Sequence, residues 1–147
     1  MEAFLTDGLR SLINLPADSM GEYTVRWPGH IQRYQRTTLS PDELVDAWAF
    51  DPQRPEFTWM EVRVEAGEKT RVWTVEDSGK DGDSSMARTT GLVTFACVKA
   101  WSERTLFDRG VHPPEDLPDD VIHNVIEVLK NEGVAVDLRA FDDGEKR

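Results

Sequence analysis

Two runs of β-forming residues, 57–65 and 70–76, flank the short break Ala66-Gly67-Glu68-Lys69, and this arrangement constrains the fold more than any other feature of the chain. In the first run Met60, Val62 and Val64 alternate with polar neighbours, the period-2 pattern of a strand with one apolar face. A glycine-containing break of that length predicts an antiparallel hairpin, so the rest of the chain must be arranged around a sheet.

The flanking segments supply helices and further strands. Phe4, Leu5, Leu9, Leu12 and Ile13 lie at helical spacing within residues 2–15, which predicts a helix ended by Pro16. Residues 22–27 alternate, with Tyr23, Val25 and Trp27 on one side and Glu22, Thr24 and Arg26 on the other, as in a strand; a turn at Pro28-Gly29 leads to a short helix over 30–36. Ser40-Pro41-Asp42-Glu43 combines an N-cap serine, a proline at the first helical position and a glutamate placed to reach back, so a helix should run through Phe50. Residues 78–85 are rich in Gly, Asp and Ser and read as a loop, and residues 86–107 as a long helix. A further amphipathic helix carries Val121, Ile122, Val125, Ile126 and Leu129, closes at Gly133, and is followed by a strand on Val134, Val136 and Leu138. The expected architecture is α+β (α/β): a largely antiparallel mixed sheet of the strands at Glu22, Phe57, Thr70 and Val134, covered by helices. Residues 1–141 are expected to form one domain and residues 142–147 a disordered tail.

Composition narrows the partners. At 147 residues and 39% apolar content the chain can bury one core, and its net charge of −11 would repel a phosphate backbone or an anionic membrane surface, so neither nucleic acid nor membrane is an expected partner. No apolar run approaches the ~20 residues that span a bilayer, no secretory leader is visible, and the single cysteine, Cys97, cannot form an intrachain disulfide. A cytoplasmic setting is expected. Five tryptophans and a sheet covered on one side only would leave an apolar patch, which predicts self-association.

Few residues point to chemistry. His30, His112 and His123, without paired cysteines, do not make a zinc site, and no metal is expected. Gly79-Lys80-Asp81-Gly82 lacks the strand that precedes a phosphate-binding turn. Arg26, at the end of a strand and just before Trp27-Pro28-Gly29-His30, could hold a carboxylate in a bidentate pair, although on the residues alone a surface ion pair with one of the 28 acidic residues is the simpler reading. Met86-Ala87-Arg88-Thr89-Thr90-Gly91 places a cation and two hydroxyls at a helix start, which also fits a capped terminus with a glycine for close packing.

Four blocks, Glu2-Ala3-Phe4-Leu5-Thr6-Asp7-Gly8-Leu9-Arg10, Thr24-Val25-Arg26-Trp27-Pro28-Gly29-His30, residues 86–91 and Gly110-Val111-His112-Pro113-Pro114-Glu115, resemble in order and spacing successive signatures of the saccharopine dehydrogenase family. Two departures are visible: Trp27 where a tyrosine is expected, and Leu92-Val93-Thr94 where a proline-containing stretch is expected. The resemblance implies a domain similar to the C-terminal catalytic portion of glyceraldehyde-3-phosphate dehydrogenase, working with an upstream Rossmann domain that is not in this chain. It further implies oxidation or reduction of a carbon–nitrogen linkage in an amino-acid substrate, with NAD or NADP bound in the full-length enzyme but not by this chain alone, which should be inactive by itself. The type enzyme interconverts saccharopine with aminoadipate semialdehyde and glutamate; relatives act on lysine or carboxylated polyamines. By the same resemblance Thr6, Asp7, Gly8, Arg26, Gly29 and His30 would line the substrate cleft, with Arg26 meeting a substrate carboxylate. Arg88, Thr89, Thr90 and Gly91 would border the nucleotide domain, a homodimer is expected, and no acid–base residue is assigned. The alternative is a noncatalytic, self-associating module derived from the same family.

Overall fold

The computed structural model describes residues 1–51 and 53–142, and its fold is α+β with every described strand pair antiparallel. By internal contacts the chain divides into two compact units, Met1–Phe50 and Asp51–Arg147.

In the first unit β1 (Glu2–Leu5) pairs with β2 (Tyr23–Arg26), Glu2 opposite Arg26 and Leu5 opposite Tyr23. The helix expected over residues 2–15 is therefore not formed. Its first third is a strand, and only Arg10–Asn14 winds into a 3-10 turn, entered through Arg10 at φ 51°. The cause is non-local: Glu22 accepts hydrogen bonds from the Thr6 amide at its carbonyl (3.0 Å) and from the Gly8 amide at Oε2 (3.2 Å), bending the chain between them. Four residues are too few for a period-2 pattern to compete with the 3.6 pattern that the later leucines extend. The strand at Glu22 likewise joins this small sheet rather than the one built from the hairpin.

Two helices complete the unit, α1 (His30–Arg36) and α2 (Pro41–Ala47). The capping box of α2 forms as the sequence requires, with the Glu43 amide donating to Ser40 Oγ at 3.4 Å and Glu43 Oε2 accepting from the Ser40 amide at 2.8 Å. The helix stops at Ala47, short of Phe50, where Trp48 leaves helical geometry with its ring 5.3 Å from His30 and 6.2 Å from Tyr34.

The second unit is organised by the predicted hairpin. β3 (Thr58–Ala66) and β4 (Lys69–Asp77) pair along their whole length, and β5 (Ala135–Phe141) adds to the other side of β4, giving the order β3-β4-β5. One face carries Met60, Val62, Val64, Trp73, Val75, Val136 and Leu138, with Arg71 opposite Val64 at its end, since cross-strand partners share a face. The opposite face carries Glu61, Arg63, Arg139 and Asp137 around a buried Val72. The long α3 (Ser85–Glu103) packs against α4 (Asp119–Asn131), where Ala96, Ala100, Val121 and Leu129 are buried.

Local signals set the ends of these helices. Gly133 at φ 87° donates to Lys130 O and Val134 donates to Leu129 O, a Schellman ending in which Leu129 and Val134 are both buried before the chain enters β5. In the loop before α3, Asp81 and Gly82 both take positive φ, and Lys80 and Asp83 exchange backbone hydrogen bonds across this tight turn. Helix α3 ends at Glu103, four residues before the expected Phe107, because Arg104 becomes extended and its Nη2 reaches both Asp120 oxygens at 2.8 and 2.6 Å. That contact holds the Asp120 carboxyl below its ordinary pKa.

The Glu43 carboxyl is held below the 4.5 usual for glutamate, first by the Ser40 amide and then by the Ser40 hydroxyl. A lowered folded-state pKa contributes stability that is complete above the unfolded value and is lost as pH falls through the folded value. Carbon-detected titration of the Glu43 carboxyl should give a midpoint below the 4.5 usual for glutamate, and Glu43→Gln should remove the matching acid-side loss of stability. An ordinary midpoint at Glu43 would show that the capping box is not held in solution.

Candidate functional site

The start of α3 is the most densely hydrogen-bonded polar region of the second unit. A helix start leaves amide donors without partners, and here side chains from outside the helix take them up. Ser84, the N-cap, accepts from the Ala87 amide at 3.2 Å, and the Glu56 carboxylate takes both the Ser85 amide and the Ser85 hydroxyl at 2.6 Å. Because the Ser85 hydroxyl donates to Glu56, the Thr58 hydroxyl at 2.7 Å must donate to Ser85 Oγ. Ser85 is wholly enclosed, at 0% exposure, and the carboxylate complements the positive end of the helix.

One turn later Arg88 points inward. Its Nε and Nη2 meet Asp77 Oδ2 and Oδ1 at 3.1 and 3.3 Å, Nη2 also donates to Glu132 O at 2.9 Å, and Asp77 Oδ2 accepts from the Gly79 amide at 3.1 Å. The two side chains are 12% and 5% exposed, and the hydrogen bonds to Asp77 raise the Arg88 pKa further above its ordinary value against the opposing effect of desolvation. Thr89 returns its hydroxyl to Ser85 O at 2.9 Å. Thr90 and Gly91 are exposed, and a Cβ built on Gly91 meets nothing within 4 Å, so close packing does not explain that glycine.

The residues singled out in the first unit fall into two groups. Thr6, Asp7 and Gly8 follow β1, and the Thr6 hydroxyl lies 3.3 Å from that of Thr24. Arg26, Gly29 and His30 lie at the other end of the pair, beside Glu2, because the strands run antiparallel with Glu2 opposite Arg26. Within this second group the Gly29 amide donates to Glu2 Oε1 at 2.8 Å, and the His30 ring lies tilted at 33° against that of Trp48. Glu2 Oε2 is buried with no hydrogen-bond partner among the described residues. Arg26 is exposed, its Nη1 donating to the carbonyl of neighbouring Val25 at 2.9 Å. Its fork is thus presented to solvent at a strand end, while Arg88 is engaged inside its own unit.

Glu2, Glu56, Asp77 and Trp48 were not singled out by sequence. Asp77 carried a usable signal, since an acidic residue directly after a strand and before Ser78-Gly79 favours a side-chain bond to the following backbone, which it makes. Glu56 carried none, being 29 residues from its partner.

The glycine-rich stretch does not fit a dinucleotide. A Cβ on Gly79 would lie 2.7 Å from both Glu56 Oε1 and Asp83 O, so the space a pyrophosphate would need is filled by a carboxylate, and the Ser85 and Ala87 amides are already taken. The remaining histidines bond to backbone: His112 Nε2 donates to Asp108 O at 3.1 Å with its ring stacked on Phe107 at 4.5 Å, and His123 Nδ1 donates to Asp119 O at 2.6 Å. Among the described residues no group of three or more His, Cys, Asp or Glu could hold a metal ion, and no helix is long and apolar enough to cross a membrane.

Comparison with protein families matches residues 39–134 to the saccharopine dehydrogenase C-terminal domain. The matched span runs from the approach to α2 through α4 and stops before β5; it contains Arg88, Thr89, Thr90 and Gly91, whereas Thr6, Asp7, Gly8, Arg26, Gly29 and His30 precede it. Neither the curated proteins nor the solved structures contain a significant match.

Replacing Arg88 by methionine keeps most of the apolar stem but leaves Asp77 enclosed without its cation. Removing one member of an enclosed ion pair costs about 3 kcal/mol or more, so Arg88→Met should lower the urea unfolding midpoint by that equivalent, while Arg139→Met, at an exposed pair, should change stability by less than about 1 kcal/mol. A loss at Arg88 no larger than at Arg139 would contradict the role given to this pair.

Proposed function

The chain belongs to the saccharopine dehydrogenase C-terminal domain family, and on that basis we propose that it is the substrate-binding and self-association portion of an NAD(P)-dependent oxidoreductase acting on a carbon–nitrogen bond of an amino acid of the saccharopine or lysine type. The family match carries this reading. It is supported by the absence of fit between Gly79–Gly82 and a pyrophosphate, which leaves the nucleotide to a separate Rossmann domain. Such an enzyme is expected to work in the cytoplasm.

In this reading Arg26 is the group that meets a substrate carboxylate. It stands at the end of β2, and its guanidinium is exposed with a planar fork that matches a carboxylate bidentately. Thr6, Asp7 and Gly8 at the far end of the same sheet would contact a different part of an extended substrate, a geometry suited to a long diacid or a carboxylated polyamine. Arg88 supports the nucleotide-domain border from beneath, with Thr90 and Gly91 on the surface.

Self-association is supported by the apolar face of the three-stranded sheet, where Met60, Val62, Val64 and Leu138 remain 49%, 43%, 50% and 55% exposed. Hydrophobic side chains grouped on one face at such exposure gain ~25 cal/mol for each Å² removed from water, so a second copy is the expected cover. A noncatalytic self-associating module is favoured by a specific observation: all six substrate-cleft candidates precede the matched residues.

Kinetics separate the two readings. In the enzyme assembled with its nucleotide-binding domain, Arg26→Lys should lower kcat/KM for the amino-acid substrate by roughly tenfold to a hundredfold, as expected for loss of a charge-assisted hydrogen bond, with little change in thermal stability. Unaltered kinetics in a folded Arg26→Lys enzyme would remove Arg26 from the substrate site and favour the module.

A further inference from the structure

The outer edge of β3 is open: β3 is an edge strand, no described strand pairs with its free side, and its residues from Met60 to Ala66 are all exposed. Edge strands are ordinarily protected by charge, and β3 carries Glu61, Arg63 and Glu65 on one face. Their order is self-complementary. From this we infer that a second copy of this chain adds to the edge, β3 against β3 antiparallel, with the two-fold axis passing through Val62. The inference rests on the self-association proposed above and adds to it a contact at the strand edge, distinct from the apolar face.

The register follows from three conditions. Directly opposed residues in an antiparallel pair share a face, so a slip by one residue would set the valines against the charges and is excluded. An axis at Val62, the centre of the nine-residue strand, pairs the strand along its whole length. It also opposes Glu61 of each protomer to Arg63 of the other, twice, with Met60 facing Val64 on the apolar side. The neighbouring registers fail on charge: an axis at Glu61 opposes Glu61 to itself, and an axis at Arg63 opposes Arg63 to itself and Glu61 to Glu65 twice. An axis at Val64 would oppose Arg63 to Glu65 but pair only residues 62–66.

The charged groups are available for this exchange. Arg63 Nε holds Glu65 at 3.2 Å along the same strand, and Glu61 has only a loose 3.9 Å contact with Arg139, both at the surface. Pairing would join the two apolar faces into one continuous face, running β5-β4-β3 in one protomer and β3-β4-β5 in its partner. Specific charge pairing at the strand offsets the general repulsion between two chains of net charge −11, which salt screens beyond ~8 Å at 0.15 M.

Charge exchange on the 147-residue chain tests this. Sedimentation velocity at 0.15 M salt should show a dimer for the native sequence; Glu61→Arg and Arg63→Glu should each weaken it roughly tenfold, because two opposed pairs become like-charged. The double substitution Glu61→Arg with Arg63→Glu should restore the dimer. An equimolar mixture of the two single variants should form a heterodimer tighter than either variant alone, since every opposed pair is again complementary. Circular dichroism of each variant controls for folding. A native dimer whose single variants are unaffected, or do not prefer each other, would overturn this register while leaving self-association intact. A native chain that remains monomeric at high micromolar concentration would overturn both.

Discussion

The second unit depends on one enclosed guanidinium. Arg88 belongs to α3, grips the carboxylate at the end of β4 and donates to the last carbonyl before the Gly133 turn, so one side chain ties three elements at the point where α4 gives way to β5. Taking such a pair out of water is costly, and the interaction holds only because Asp77 also has the Gly79 amide and Arg88 also has the Glu132 carbonyl. That requirement fixes the direction of the loop after β4 and hence where α3 begins. Glu56 secures the same helix start from the segment before β3, through Ser85.

This arrangement decides what the unit can offer. The Ser85 and Ala87 amides at the α3 start are taken up from within the unit and are not offered to an external anion. The sheet is not closed in the same way. Its apolar face and its β3 edge both remain exposed, and the proposed self-association rests on them.

The parts of the fold that were legible in the sequence are those whose causes are local. The hairpin about Gly67, the Ser40–Glu43 capping box and the Gly133 ending each rest on residues within a few positions of one another, and the structure shows all three. Residues 2–15 were misread because their apolar spacing satisfied a helix while Glu22 and β2 decided the outcome. Arg88 was visible as a cation at a helix start, but its partners lie 11 and 44 residues away, and nothing in the spacing revealed that it points inward. Arg26 was legible as a strand-end arginine, but the alternation over 22–27 did not set its exposure, since Tyr23 and Trp27 on the apolar side are exposed as well. The separation of Thr6–Gly8 from Arg26–His30 was not legible, since it follows from the pairing of β1 with β2.

If one side chain couples β4, α3 and the end of α4, loosening it should be felt in all three at once. Native-state hydrogen exchange on Arg88→Met measures this residue by residue. Amides near Asp77, in the first turns of α3 and at Gly133 and Val134 should lose protection together and by similar factors, with β1, β2 and the capping box of α2 unchanged. Loss confined to the first turn of α3, with Gly133 and Val134 protected as before, would contradict the account.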